Sequence, residues 1–478
     1  MKKYEAIIGL EIHAQLLTQS KAYCADNAAF GDEPNTNISA ISLGHPGTLP
    51  KMNKKSVELA VKMGIVTHCQ IDKHCYFARK NYFYPDLPKG YQITQDKTPI
   101  CTEGYIDLKI GETIKKIGIQ RIHLEEDAGK SIHDQDPFDT LIDLNRAGVP
   151  LIEIVSKPDM RSAQEAAAYI TEIRKIVRYL DICDGNMEEG SLRCDVNVSV
   201  RLEGESALRT RAEIKNLNSI RNVERAIEYE IQRQIQVYEA GGTIEQETRN
   251  FDPVSGTTSS MRTKETAHDY RYFPEPDLLP LQIEDSYIQH LATTLPALPA
   301  QRYQKYTKEW KLSDFEATTI LEQKEISDYF EALVDVSKHP KQSANWVMGA
   351  IKTYLNETAT HIQQFPLSPA HIAQIIELIL QDKISTTAAK EVVFTEMLKN
   401  PNLTALEIAT QKGVLQQSNT DDLKPFIDEV IAKFPAQVQE YKKGKTGVLG
   451  FLVGQVMKAS GGKANPKLVN QMMQEALG

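Results

Sequence analysis

The stretch Arg121-Ile-His-Leu-Glu-Glu-Asp-Ala-Gly-Lys130 brings an imidazole, two adjacent glutamates and an aspartate to the end of one segment. The alternating run before it, Ile117 to Ile122, predicts a strand. Two carboxylates about 4 Å apart repel by roughly 4 kcal/mol at an effective dielectric near 20. Neighbours on a strand avoid that by facing opposite ways, so His123 and Glu125 share one face and Leu124 and Glu126 the other. Either carboxylate then lies beside apolar strand residues and needs a cation, a metal or a hydrogen-bond donor. A solvated strand end laced with ion pairs would use the same residues.

A second such stretch is Ile7-Ile-Gly-Leu-Glu-Ile-His13, which alternates with Ile8, Leu10 and Ile12 toward a core. Gly9, Glu11 and His13 take the opposite face. A Glu/His pair two residues apart on one strand face suits a metal, and equally an ordinary polar sheet face. Glu153, in Leu151-Ile-Glu-Ile-Val155, projects between two isoleucines that point the other way. In Leu192-Arg-Cys-Asp-Val-Asn-Val-Ser-Val200, the residues Arg193, Asp195, Asn197 and Ser199 oppose Cys194, Val196, Val198 and Val200. Arg211, Glu213 and Lys215 continue the theme. Together the strands 9–13, 121–126, 143–145, 151–155, 192–200 and 212–217 are expected to pool Glu, His, Asp, Asn and Arg on one sheet face. Carboxylates for an oxygen-ligated Mg²⁺, with Arg and Lys for phosphoryl oxygens, are the parts that phosphoryl transfer needs.

Helices position these strands. Asn53 opens one, Lys54 to Met63, which Gly64 is expected to end. Ser162 and Glu165 read as a capping box before the stripe Ile170, Ile173, Val177 and Leu180. A third helix, about Ser219 to Ala240, carries Ile220, Val223, Ile227, Ile231 and Tyr238 and stops at Gly241-Gly242. Ile100 to Ile119 reads as a hairpin turning at Gly111-Glu112. Between residues 77 and 92 aromatics alternate with Arg79, Lys80 and Lys89, while Pro85, Pro88 and Gly90 forbid a helix. That mixture suits phosphates and bases, or an aromatic-stapled loop. Residues 261–277 are again dense in Arg, Lys, acid and aromatic. Prolines at 274, 276, 280, 296 and 299 mark a boundary, and beyond it the pattern is helical throughout. Lysines 433, 442, 443, 445, 458, 463 and 467 face a single acid, Glu440, which suggests a polyanion partner or a solvated helical surface.

The 478 residues allow about three domains. No apolar run is long enough for a membrane span, and Met1-Lys-Lys-Tyr-Glu leads into a strand and not a signal peptide. Six scattered cysteines without a Cys-x-x-Cys fit a reduced, cytoplasmic protein. The net charge of −9 argues against a uniformly basic nucleic-acid binder. Gly444-Lys-Thr446 looks like the end of a phosphate-binding loop, but Gln439 stands where its first glycine belongs.

Long stretches resemble the B subunits of the Asp/Glu-tRNA(Asn/Gln) amidotransferases, the GatB family. They are 8–13, 46–50, 79–92, 123–130, 145–151, 187–195, 269–277, 450–457 and 462–466. The resemblance implies an α+β fold: a cradle-like domain around a largely antiparallel sheet (1–295), a helical domain (296–402) and a small helical tail that binds tRNA (403–478). It implies that ATP with Mg²⁺ phosphorylates the side-chain carboxylate of Glu-tRNA(Gln) or Asp-tRNA(Asn). Ammonia from a separate amidase subunit then displaces the phosphate, and a small third subunit braces the complex. By the resemblance, Glu11, His13, Glu125, Glu126, Glu153 and Asp195 surround the metal. His13, Lys80 and Glu126 are the catalytic candidates, with Lys80 near the arriving ammonia. Arg79, Arg193 and Lys215 are the candidates for holding ATP. Many members carry zinc-binding cysteines in the early loop. Here those positions are Cys24, Asp26, Ser39 and Ser42, and one thiol does not make a tetrahedral zinc site, so no zinc is expected. A non-catalytic tRNA-binding scaffold and a free-standing ligase are the competing readings.

Overall fold

The computed structural model describes residues 3–111, 113–133, 135–261, 270–416, 420–461 and 463–478. The chain forms two compact units, Met1–Pro299 and Ala300–Gly478. In the first unit the strands are β1 (Tyr4–Gln15), β2 (Gln70–Ile71), β3 (His74–Cys75), β4 (Ala78–Asn81), β5 (Tyr91–Thr94), β6 (Cys101–Ile110), β7 (Thr113–Glu126) and β8 (Lys130–Ile132). There follow β9 (Leu141–Asp143), β10 (Pro150–Ser156), β11 (Leu192–Leu202), β12 (Ala212–Lys215), β13 (Thr248–Asp252), β14 (Thr257–Ser260), β15 (Phe273–Pro274) and β16 (Leu281–Gln282). Nine of them form one sheet, in the order β14-β13-β12-β11-β1-β10-β7-β6-β2, and only β12 and β13 pair in parallel. A three-stranded sheet, β15-β4-β5, is separate.

Three helices cover the apolar face: α1 (Lys54–Val66), α2 (Ala163–Tyr179) and α3 (Ile220–Glu239). The strand residues beneath them, among them Ile8, Leu10, Ile12, Ile122, Ile154, Cys194, Val196 and Val198, are fully or almost fully buried. Burying a side chain of this size stabilises the fold by about 1.5–3 kcal/mol relative to exposure.

The ends of these elements differ in places from the sequence expectation. Helix α1 runs through Gly64 to Val66. A Cβ at Gly64 would stand 2.4 Å from the Cys101 sulfur, so this glycine serves close packing and not termination. Ser162 does accept from the Glu165 N–H, but Glu165 turns its carboxylate to the Arg161 N–H, so the box is not reciprocal. Gly111, at φ 60°, turns the β6–β7 hairpin, while Glu112 lies outside the described residues, as do residues 262–269 and Gly462. Asp143 and Asn145 are not on the large sheet. Strand β9 pairs with β8, and the Asp143 and Asn145 side chains accept from the Asn35 and Asn37 N–H groups, stitching down the early loop.

The second unit is helical throughout its described residues. Helix Ala405–Gln411, capped by Thr404, donates its first N–H to the Gln374 side chain on helix Pro369–Leu380. From Leu423 onward the helices close around their own core of Leu423, Ile427, Val430, Leu452, Val456, Val469 and Met473. No helix among the described residues is long and apolar enough to cross a membrane.

Candidate active site on the polar sheet face

Register brings the polar side chains into rows. Strand β1 pairs with β11 on one side and β10 on the other, so His13 stands opposite both Arg193 and Glu153. Glu153 in turn stands opposite His123 on β7. One row therefore reads Arg193, His13, Glu153, His123. The neighbouring row reads Asp195, Glu11, Val155, Arg121, and on the other side Gln15, Leu151 and Glu125 align. Alternation on each strand fixes the face, and the shared register of four strands makes it continuous.

Within this face His13, Glu125 and Glu153 each offer a ligand atom, all within 4.8 Å of one another. His123 joins them, its Nε2 2.8 Å from Glu125 and 3.2 Å from Glu153, while His13 Nε2 is 3.4 Å from Glu153. Thr94 and Gln92 on β5 also donate to Glu125, at 2.9 and 3.3 Å. Burial disfavours protonated His123, but Glu125 and Glu153 outweigh it and push its pKa up to about 9. Burial likewise opposes a charged His13, and the Glu153 hydrogen bond reverses that, leaving it above the ordinary imidazole value. Glu153 is held far below the carboxylate range: both imidazoles overcome its burial. Glu11 moves upward, because burial and the nearby Glu153 and Glu213 outweigh the Asn197 amide bonded to it at 3.0 Å.

The cluster thus holds two buried carboxylates, Glu125 and Glu153, each paired with imidazole. Its donor set, carboxylate oxygens with one or two imidazole nitrogens, fits a divalent cation. Among the described residues the buried Nδ1 of His123 has no hydrogen-bond partner.

The other expected site residues have separate engagements. Glu126 is not in the 4.8 Å group. It points to the other side of β7, paired with Lys89 and accepting from the Ile93 N–H at 2.9 Å. Asp195 is bonded to Lys215 at 2.6 Å, and Lys215 also reaches Glu213 at 3.2 Å. Arg193 makes a two-pronged pair with Asp127, at 2.8 and 3.0 Å, and Gln15 donates to the same carboxylate. Arg79 is clamped on the buried Glu275, at 2.7 and 2.8 Å, with Asp277 at 3.2 Å. Lys80 stands opposite Gln92 in the β4–β5 pair, its ammonium 4.9 Å from the Tyr270 ring centre.

Two residues of the opening stretch, His123 and Asp127, were given no role in the site. His123 lay on the Glu125 face by strand parity, yet nothing local showed that Glu153 would come opposite it. Asp127, the anchor of Arg193, lies past the end of β7, where parity no longer applies. The early loop is closed by hydrogen bonds: Ser42 bonds Asp26, and the Cys24 thiol lies 3.4 Å from the Ser42 hydroxyl.

Comparison with known proteins identifies the family. Residues 6–289 match the GatB/GatE catalytic domain, and residues 328–477 match the GatB domain. The B subunit of the aspartyl/glutamyl-tRNA(Asn/Gln) amidotransferase of Thermodesulfovibrio yellowstonii is 50% identical over 471 residues, covering 98% of each chain. The proteins of the same name from Geotalea uraniireducens (51% identical, 99% of each chain) and Persephonella marina (48%, covering 99% of this chain and 100% of that one) are similarly alike. The rows of charge on the sheet are thus those of a matched catalytic domain, and the chain belongs to the family of aspartyl/glutamyl-tRNA(Asn/Gln) amidotransferase B subunits.

Proposed function

We propose that this chain is the component of a tRNA-dependent amidotransferase that activates and amidates the amino acid. The convergence of His13, Glu125 and Glu153 within 4.8 Å on the polar face of a matched catalytic domain carries the reading. The substrate is Glu-tRNA(Gln), Asp-tRNA(Asn) or both, with ATP. An oxygen of the side-chain carboxylate attacks the γ-phosphorus and ADP leaves. Ammonia then attacks the acyl carbon, phosphate leaves, and the product is Gln-tRNA(Gln) or Asn-tRNA(Asn). Phosphoryl transfer is mainly positioning and charge neutralisation, so the face needs no nucleophile of its own.

His13, Glu125 and Glu153, with Glu11 alongside, would hold Mg²⁺, which supplies positive charge to the phosphoryl oxygens when bound. Arg193 and Lys215, at the β11–β12 side of the same face, neutralise phosphate charge and are oriented by Asp127 and Asp195. Lys80, opposite Gln92, would lie near the arriving ammonia. Glu126 and Arg79, each committed to a partner of opposite charge, position the loop and the small sheet beside the site. The separate amidase subunit supplies the ammonia, and a small third subunit completes the assembly in the cytoplasm. The lysine-rich helices of the 403–478 tail meet the tRNA backbone, a contact that weakens as salt rises.

The test is co-purification with the amidase and small subunits, followed by transamidation of each mischarged tRNA with and without ATP and Mg²⁺. Formation of the amide that depends on both supports the reading. A complex that binds tRNA and hydrolyses glutamine, but turns over ATP equally well with Glu153→Gln, overturns it in favour of a scaffold.

A further inference from the structure

The loop between β4 and β5, residues 82–90, sets two large rings in water. Phe83 is 77% exposed and Tyr84 is 64% exposed, in a chain with ample core to bury them. The loop is nevertheless pinned. Tyr82 donates to the Gly90 carbonyl at 3.3 Å and Leu87 to the Tyr84 carbonyl at 3.0 Å. Lys89 pairs with Glu126, and the Asp86 carbonyl accepts from Gly129 at 2.8 Å, so the loop is fastened to the strand end that carries Glu125. Behind the exposed rings runs a chain of edge-to-face aromatics. Tyr84 meets Tyr82 at 5.9 Å, Tyr82 meets Tyr270 at 6.2 Å, and Tyr270 meets Tyr272 at 6.0 Å. Cations stand among them: Lys80 over Tyr270, and Arg271 6.0 Å from the Phe83 ring centre. Asn81 fixes the second segment by donating to the Tyr270 and Arg271 carbonyls, at 3.2 and 2.9 Å.

We propose that Phe83 and Tyr84 form an open stacking platform for the unpaired 3′-terminal bases of the aminoacyl-tRNA. This deepens the function proposed above and rests on it. Rings presented to solvent beside cations suit single-stranded nucleic acid, because every base has a π-face and the backbone is anionic. A small nucleotide is ordinarily enclosed on most of its surface, and rings this exposed do not enclose one. A strand end is different: the rest of the tRNA is held elsewhere, and the platform needs only to orient its last bases. The rigid link to the Glu125 strand end then sets the distance from those bases to the acidic cluster.

The experiment uses the assembled complex with Glu-tRNA(Gln) or Asp-tRNA(Asn). Phe83→Ala with Tyr84→Ala raises the KM for aminoacyl-tRNA roughly 5- to 150-fold, the range of one stacked base. The KM for ATP and the glutaminase rate stay unchanged. Phe83→Tyr and Tyr84→Phe retain the wild-type KM, since the π-face remains. Phe83→Leu loses it, although leucine is equally apolar. An unmoved KM for tRNA, a rise in the KM for ATP instead, a leucine variant that behaves as wild type, or loss of subunit co-purification would each overturn the platform. A wild-type complex that transamidates neither tRNA overturns the underlying function as well. Wild-type activity with an unmoved tRNA KM removes the platform alone.

Discussion

Glu153 and Glu230 are both buried carboxylates of the large-sheet unit, and they are neutralised in opposite ways. Glu230, on α3, is fully buried and is gripped by Arg233 at 2.6 and 2.9 Å, with Arg249 at 3.4 Å and Thr258 at 3.1 Å. Its cationic partners are guanidiniums, which never lose their charge at ordinary pH and match a carboxylate in a fixed planar fork. Glu153, among the described residues, has two imidazoles at 3.2 and 3.4 Å and a guanidinium, Arg121, at 3.9 Å. Imidazolium is a revocable charge. The first cluster is a finished ion-pair network that fastens α3 to β13 and β14. The second is a set of carboxylates balanced by protons that a cation of higher charge can replace. The two carboxylates are therefore both buried and differ in the kind of charge that balances them.

Experiment can tell the two clusters apart, and amidation itself should respond most strongly. Glu125→Gln or His13→Ala in the assembled complex should cut ATP-dependent amidation by about 10²–10³-fold, as for other preorganised charge-stabilising groups, and leave glutaminase activity intact. Equal loss of both activities would place the residues in the fold and not in the chemistry. Glu230→Ala should do the reverse. It leaves Arg233 and Arg249 on Glu247 and should lower unfolding stability by about 1.5–3 kcal/mol, read from the urea midpoint, with the rate per folded molecule unchanged. The imidazole cluster should also respond to pH. His123 has a folded pKa of about 9 against 6.5 for the free group. A raised pKa stabilises fully below the unfolded value, and that contribution is lost as pH rises through the folded value. In the presence of chelator, the stability gap between wild type and His123→Gln should therefore narrow between pH 6.5 and about 9. The smallest effect concerns the early loop. Ser42→Ala removes the bridge between Cys24 and Asp26 and should cost about 1 kcal/mol, seen as faster hydrogen exchange over residues 24–42. Metal analysis of the purified chain should find no zinc there.

Strand parity made much of this legible. The alternation in β1, β10 and β11 gave the two faces correctly, and the stripes of α2 and α3 gave the helices that cover one of them. Parity does not say which strands adjoin. His13 meets Glu153 only because β10 pairs with β1, and this register joins residues 140 positions apart in the chain. The same blindness placed 143–145 on the sheet, when β9 in fact pairs with β8. The resemblance also grouped Glu126 with its neighbour around the metal, although adjacent strand residues point apart. The exposed Phe83 and Tyr84 were visible as aromatics among cations, but whether they were buried or bare was a question only packing could answer.

The continuous pairing of β1 with β11, from Tyr4 through Ala14, has a further consequence. Inserting or deleting one residue inside that central strand would invert everything beyond it. Glu11 and His13 would be driven into the greasy interior, and their isoleucine neighbours would be pushed out among the acids. Reagent groups and ballast are printed on the two sides of one ribbon. The folding of the strand therefore tolerates a single substitution on its polar side far more readily than any change in its length.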